Sequence, residues 1–93
     1  MARSILQNKD DGCLLCGNPY TEEHHVMFGT ANRKLSEKYG LKVYLCAGHH
    51  RGDLGVHHNA ELDKALKRMA QAKFEELYSH EEWMRIFGVN YVR

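Results

Sequence analysis

The hydrophobic and polar positions divide the chain into a strand-forming N-terminal half and a helical C-terminal half. Residues 41–45, Leu-Lys-Val-Tyr-Leu, alternate partly and are rich in strand-forming types, which predicts a β-strand. Residues 21–28 predict another strand, which Gly29 ends. The polar stretch between them, residues 30–40, is predicted to be a loop with one helical turn near its end. The two strands are expected to pair antiparallel, and a helix is expected to start near Cys46.

Helical periodicity dominates the C-terminal half. Apolar residues recur at helical spacing from about residue 60 to residue 78, and Asn59 is placed to cap that helix. Ser79 and Glu82 form a capping box for a last short helix, which Gly88 ends. The apolar face of the longer helix consists of Leu62, Leu66, Met69, Ala70, Phe74, Leu77 and Tyr78.

Composition indicates one small domain over residues 1–93, with a motif-bearing core at 13–58 and a helical part at 59–93. A chain of this length buries a small core and often needs a metal or a disulfide. Three cysteines, an odd number, argue against a disulfide framework, and free thiols favour a reducing compartment, most simply the cytoplasm. There is no signal-peptide pattern and no apolar run of about 20 residues, so no membrane partner is expected.

All three cysteines and four of the seven histidines lie within residues 13–50. They include a CxxC motif and a CxxH motif. Thiolate and imidazole groups at two-residue gaps allow one tight turn to present two ligands to a tetrahedral Zn²⁺. Two such turns predict a structural zinc site with the ligands Cys13, Cys16, Cys46 and His49.

Several histidines remain after this site is complete. His24 and His25 form a doublet in the first predicted strand, and His50 directly follows the last zinc ligand. Adjacent strand residues point to opposite sides, so one imidazole of the doublet can face a metal while the other faces a substrate. For His57 and His58, a surface loop and metal ligation are nearly equally expected.

The order of these motifs resembles the HNH (ββα-metal) endonuclease family, and its layout is closest to the zinc-stapled phage-type members. The resemblance covers residues 13–58: a CxxC, a His-His pair at the end of a strand, a second strand ending in Leu-Cys, and a CxxH followed by His on a helix. It implies an α+β fold, in which a small zinc-stapled ββα-metal (HNH) core is followed by C-terminal helices. Gly40 and Leu41 stand where the middle Asn of the motif is expected.

The resemblance also implies a role for each surplus histidine. His24, His50 and His57 would bind one catalytic divalent metal. His25 would be the general base, and the layout would place it across one small cleft from His50. Imidazole ligands suit Zn²⁺, Ni²⁺ or Mn²⁺ better than Mg²⁺, which prefers oxygen, and these four ions are the candidates for the catalytic metal.

The residue types fit phosphodiester hydrolysis. A neutral histidine can take a proton from water near physiological pH, and a divalent cation can polarise phosphate oxygens. We therefore expect a metal-dependent HNH DNA endonuclease. The alternative is a non-catalytic zinc-stapled nucleic-acid-binding module, which would have no need of the surplus histidines.

The expected partner is DNA, and a partner protein for targeting is compatible with the chain's small size. Net charge is only +1, so contacts to DNA must come from local basic residues. The sequence does not specify an oligomeric state. The residues expected to contact phosphates are Arg33, Lys34, Lys38 and Arg51, with Lys42 also near the motif.

Overall fold

A two-stranded antiparallel sheet and four helices form the described part of the chain, residues 3–53 and 55–92, in this computed structural model. Residues 1, 2, 54 and 93 of the predicted domain lie outside the described residues. The mixed α+β class expected from the sequence is confirmed. The elements are β1 (Glu22–His25), α1 (Thr30–Tyr39), β2 (Lys42–Leu45), α2 (Ala47–His50), α3 (Ala60–Leu77) and α4 (His80–Phe87), with short 3₁₀ turns at Lys9–Asp11 and Val56–His58.

The pairing of the two strands assigns the histidine doublet to opposite faces of the sheet. β1 pairs with β2 so that His24 lies opposite Val43 and His25 opposite Lys42. Cross-strand partners share a face, whereas successive residues alternate. His24 therefore projects to one side of the sheet and His25 to the other. The antiparallel pairing was predicted, although β1 is shorter than the expected strand over 21–28.

The loop predicted over residues 30–40 is wrong, because α1 occupies Thr30–Tyr39. Gly40 ends this helix in the left-handed conformation (φ 72°), and its N–H donates to the Ser36 carbonyl. The buried Ser36 hydroxyl donates to the Met27 carbonyl (2.7 Å) and accepts from the Met27 N–H (3.1 Å). A glycine cap, one buried hydroxyl and the partly buried ring of Tyr39, which packs against the core, thus hold a largely polar helix.

The C-terminal helices follow the sequence prediction closely. The Asn59 side chain accepts from the Leu62 N–H, and the Ser79 hydroxyl accepts from the Glu82 N–H. Gly88 ends α4 in the left-handed region (φ 72°). None of the helices within residues 3–53 and 55–92 is long and apolar enough to cross a membrane.

Truncation of Phe74 should be among the most destabilising changes in the helical part. Its ring is fully buried and lies 5.5 Å from the Trp83 ring, centroid to centroid. Phe74→Ala should lower the free energy of unfolding by about 3–5 kcal/mol, because the cavity adds to the lost burial. Urea unfolding of the metal-loaded protein measures this. Leu77→Ala on the same helix is the control, since Leu77 is 53% exposed; an equal loss in the control would contradict the prediction.

Candidate metal centres

Two tight turns bring three thiols and one imidazole together. In the first turn, the Gly17 N–H donates to the Cys13 carbonyl (2.8 Å), which places Cys13 and Cys16 side by side. In the second, Cys46 caps the N-terminus of α2 and His49 lies in that helix. The ligand atoms of Cys13, Cys16, Cys46 and His49 all lie within 4.8 Å of one another.

The distances within this cluster match the edges of a zinc tetrahedron. Nδ1 of His49 lies 3.3 Å from Sγ of Cys46 and 3.6 Å from Sγ of Cys13. Sγ of Cys16 lies 3.7 Å from Sγ of Cys46. Usual zinc bond lengths give tetrahedral edges of about 3.6 Å between sulfur and nitrogen and about 3.8 Å between two sulfurs. The predicted grouping is confirmed, and the cluster is compatible with a zinc site.

The backbone around the first turn favours a thiolate. Burial opposes ionisation of Cys13, but hydrogen bonds from the backbone at Cys46, Leu15 and Cys16 lower the pKa of its thiol to about 6. The backbone at Asn18 lowers the pKa of Cys16, yet the side chains of Cys13 and Cys46, together with some loss of hydration, outweigh that effect and raise it. The ionised thiol of Cys13 thus opposes ionisation of Cys16, and a divalent cation bound between the two sulfurs would remove this opposition.

Three further histidines converge from three different elements. His24 belongs to β1, His50 to α2 and His57 to the 3₁₀ turn that precedes α3. Their ring centroids are 4.9–5.2 Å apart, and one nitrogen of each lies within 4.8 Å of the others. The structure therefore brings together the three residues that the family resemblance assigns to a catalytic metal. We call this group the three-histidine cluster.

His24 lies at the buried end of the three-histidine cluster. Its side chain is 2% exposed, and its Nε2 atom has no hydrogen-bond partner among the described residues. Burial, together with the neighbouring His50 and His57, lowers the pKa of His24 to about 4. The imidazole is therefore neutral at physiological pH, with a donor set suited to a divalent transition metal.

Glu22 orients His50 and was missed by sequence reasoning. Its Oε1 atom lies 2.7 Å from Nδ1 of His50, and both carboxylate oxygens accept from Arg51. The hydrogen bond from His50, then the one from Arg51, lowers the pKa of Glu22. An ionised carboxylate only accepts hydrogen bonds, so Nδ1 of His50 carries a proton, and in the neutral form of the ring the lone pair is on Nε2. The sequence does contain one indication that Glu22 belongs to this site: it lies two residues before His24, so both side chains point to the same face of β1.

His25 lies among charged groups on the other face of the sheet. Its Nε2 atom is 2.9 Å from Oε2 of Glu37 and 3.6 Å from Oε1 of Glu23. Lys42 bridges the same two carboxylates, at 3.1 Å from Glu37 and 3.3 Å from Glu23. His50 contacts Glu22 and His24 on one face of the sheet, whereas His25 contacts Glu23 and Glu37 on the other. The two histidines share no side-chain partner among the described residues. The common cleft expected between them is therefore not formed by these contacts.

The basic residues expected to contact DNA have different surroundings. Arg33, Lys34 and Lys38 are exposed on α1, which was expected to be a loop. Arg51 is exposed but paired with Glu22, at 2.6 Å. Lys42 is 3% exposed and held by its two carboxylates. Among the described residues Arg33, Lys34 and Lys38 form no ion pair, although the Lys38 ammonium lies 5.3 Å from the centroid of the Tyr39 ring. Their contact with DNA remains a prediction.

The two clusters differ in a way that matters chemically. Four ligands with three sulfurs complete a closed tetrahedral site, which is the usual form of structural zinc. Three imidazoles leave coordination positions for water or substrate, which is the usual form of a catalytic metal site. Glu23, His25 and Glu37 form a third group, but Lys42 already neutralises part of its charge.

Comparisons with protein-family models, curated proteins and solved structures find no match for the chain, so the interpretation of its function depends on these clusters.

Proposed function

We propose that the protein is a metal-dependent endonuclease that hydrolyses DNA phosphodiester bonds. The observation that carries the proposal is the three-histidine cluster beside a separate zinc-compatible site. Three elements converge to form it, and the buried Nε2 atom of His24 has no partner among the described residues. An unpaired buried polar atom typically costs about 1–3 kcal/mol, a cost that a bound cation would offset. A module that only binds nucleic acid has no need of this cluster.

Zinc at Cys13, Cys16, Cys46 and His49 would join the first turn to the end of β2 and the start of α2. The arrangement of β1, β2 and α2 supports the ββα-metal core that the family resemblance implies. In this assignment α1 is an insertion between the two strands. The helices α3 and α4 then complete the hydrophobic core from outside the motif.

A catalytic cation held by His24, His50 and His57 would polarise a phosphate oxygen and stabilise the departing oxygen. Glu22 holds the Nδ1 atom of His50, which would leave the Nε2 atom of that ring as the ligand for the cation. His25 would accept the proton of the attacking water, as a histidine general base does near neutral pH. Because His25 and the three-histidine cluster lie on opposite faces of the two-stranded sheet, this role requires the water and the phosphate to be bound at the edge of β1. The exposed cations of α1 hold the DNA backbone, which gives position without sequence specificity.

Plasmid cleavage by the purified, zinc-loaded protein tests this function. We expect nicking or linearisation of plasmid DNA that depends on added Mn²⁺, Ni²⁺, Mg²⁺ or Zn²⁺. His24→Ala should be inactive at low metal concentration. DNA binding without cleavage at every metal and concentration would reject the enzyme and support the alternative, a zinc-stabilised nucleic-acid-binding module.

Loss of one imidazole should weaken the second metal site and leave the first intact. We expect His24→Ala, His50→Ala and His57→Ala each to lower Mn²⁺ or Ni²⁺ affinity by more than the roughly 10–100-fold typical of outer-shell changes. Calorimetric titration of the zinc-loaded protein measures this, with elemental analysis as the check that structural zinc remains. His58→Ala is the control, since His58 is exposed and outside the cluster. Unchanged affinity in His24→Ala would remove the assigned ligand set.

A further inference from the structure

We propose that Glu37 is the positioning residue of His25, which it holds through Nε2 so that Nδ1 is left as the proton-accepting atom. This inference rests on the proposed nuclease function, in which His25 is the general base. It starts from a 2.9 Å contact between Nε2 of His25 and Oε2 of Glu37. The contact joins β1 to α1, the helix that occupies the stretch expected to be a loop.

The Glu37 carboxylate is fixed at both oxygens. Its Oε2 atom meets His25, and its Oε1 atom accepts from Nζ of Lys42 at 3.1 Å. Lys42 is itself immobilised, because its side chain is 4% exposed and also contacts Glu23. Residues from β1, α1 and β2 thus define one orientation of the imidazole ring.

The protonation of Glu37 decides which ring nitrogen is free. The hydrogen bond from His25, then the one from Lys42, holds the pKa of Glu37 below its usual value. An ionised carboxylate accepts hydrogen bonds and donates none, so Nε2 of His25 carries the proton. In the neutral ring the lone pair is then on Nδ1. The same carboxylate faces the positive charge that forms when Nδ1 takes a proton, as in the Asp-His pairs of hydrolases.

Glu23 provides a matched comparison within the same charged group. Its carboxylate also contacts Lys42, but its Oε1 atom is 3.6 Å from Nε2 of His25, beyond hydrogen-bonding distance. If the group only contributes ion pairs, loss of either carboxylate should have similar effects. If Glu37 positions the ring, only its loss should release His25.

Ring ¹⁵N spectra of histidine-labelled, zinc-loaded protein without a second metal test the positioning directly. We expect His25 to be the Nε2–H tautomer in the wild type and in Glu23→Gln. Glu37→Ala should lose this preference. A wild-type His25 in the Nδ1–H form, or an unchanged Nε2–H signal in Glu37→Ala, would overturn the inference. This measurement does not require cleavage, so it decides the role of Glu37 even if the protein is not a nuclease.

Cleavage kinetics test the consequence for catalysis. Glu37→Ala should lower kcat by more than tenfold, but by less than the ~10²–10⁴-fold expected for loss of the base itself. KM for DNA should stay near the wild-type value, because Glu37 does not touch the substrate. Glu37→Asp should recover part of kcat, and Glu23→Gln should lose less than Glu37→Gln. Wild-type kcat in a folded Glu37→Ala, or equal losses in the two Gln variants, would overturn the inference, whereas an inactive wild type would reject only the proposed function.

Discussion

Replacement of Cys13 by serine is expected to unfold the protein. Cys13 is 3% exposed and joins the first turn to His49 on α2. Apparent zinc-binding free energies in small domains are about 10–16 kcal/mol, and binding is coupled to folding. The total stability of a small domain is only about 5–15 kcal/mol, so loss of a ligand removes most of it. Circular dichroism and elemental analysis should show loss of structure and of zinc together.

Leu15→Ser is the matched control for this change. It places a serine in the same turn without removing a ligand, and Leu15 is 43% exposed. The control should keep one zinc ion and a cooperative unfolding transition. A well-folded, metal-free wild type would contradict the zinc assignment, whatever the behaviour of the serine variants.

Replacement of His25 by alanine is expected to abolish most cleavage while the protein stays folded. A general base typically contributes ~10²–10⁴-fold to the rate. It acts in the transition state more than in the ground state, so DNA binding should change little. Lys42 retains both carboxylate partners in this variant, which preserves the link between β2 and α1. Single-turnover cleavage and a binding titration on the same protein separate the two effects.

A Mn²⁺ concentration series distinguishes His25 from the residues of the three-histidine cluster. Excess Mn²⁺ should partly restore His24→Ala and His50→Ala, because their defect is in metal binding. It should not restore His25→Ala. If His25→Ala cleaves as fast as the wild type at every Mn²⁺ concentration, the base is assigned wrongly, and with it the mechanism.

The zinc-compatible cluster was predictable because each half of it is local. A CxxC and a CxxH each fit one turn, and only the meeting of the two turns depends on the fold. Prediction of the three-histidine cluster required more information, because only the family resemblance relates His24 to His50 and His57. The structure brings these three together, and their role in binding a metal remains a prediction.

The carboxylates that contact the histidines could not be predicted in the same way. Glu37 reaches His25 only because residues 30–39 are helical, and their polar sequence gives little sign of a buried face. The buried residue of that helix is Ser36, whose hydroxyl has no distinctive pattern in the sequence. Glu22 was visible as a neighbour of His24, but its partner His50 is 28 residues further along the chain.

The four residues of β1, Glu-Glu-His-His, are two doublets, so a slip of one residue would still present one carboxylate and one imidazole to each face. The side chains within the strand therefore distinguish poorly between the native register and a slipped one. The next residue, Val26, distinguishes the two registers better, because it is fully buried and its N–H donates to the Leu41 carbonyl at 2.9 Å. An apolar residue with no part in the proposed chemistry thus helps to determine which histidine joins the three-histidine cluster and which lies beside Glu37.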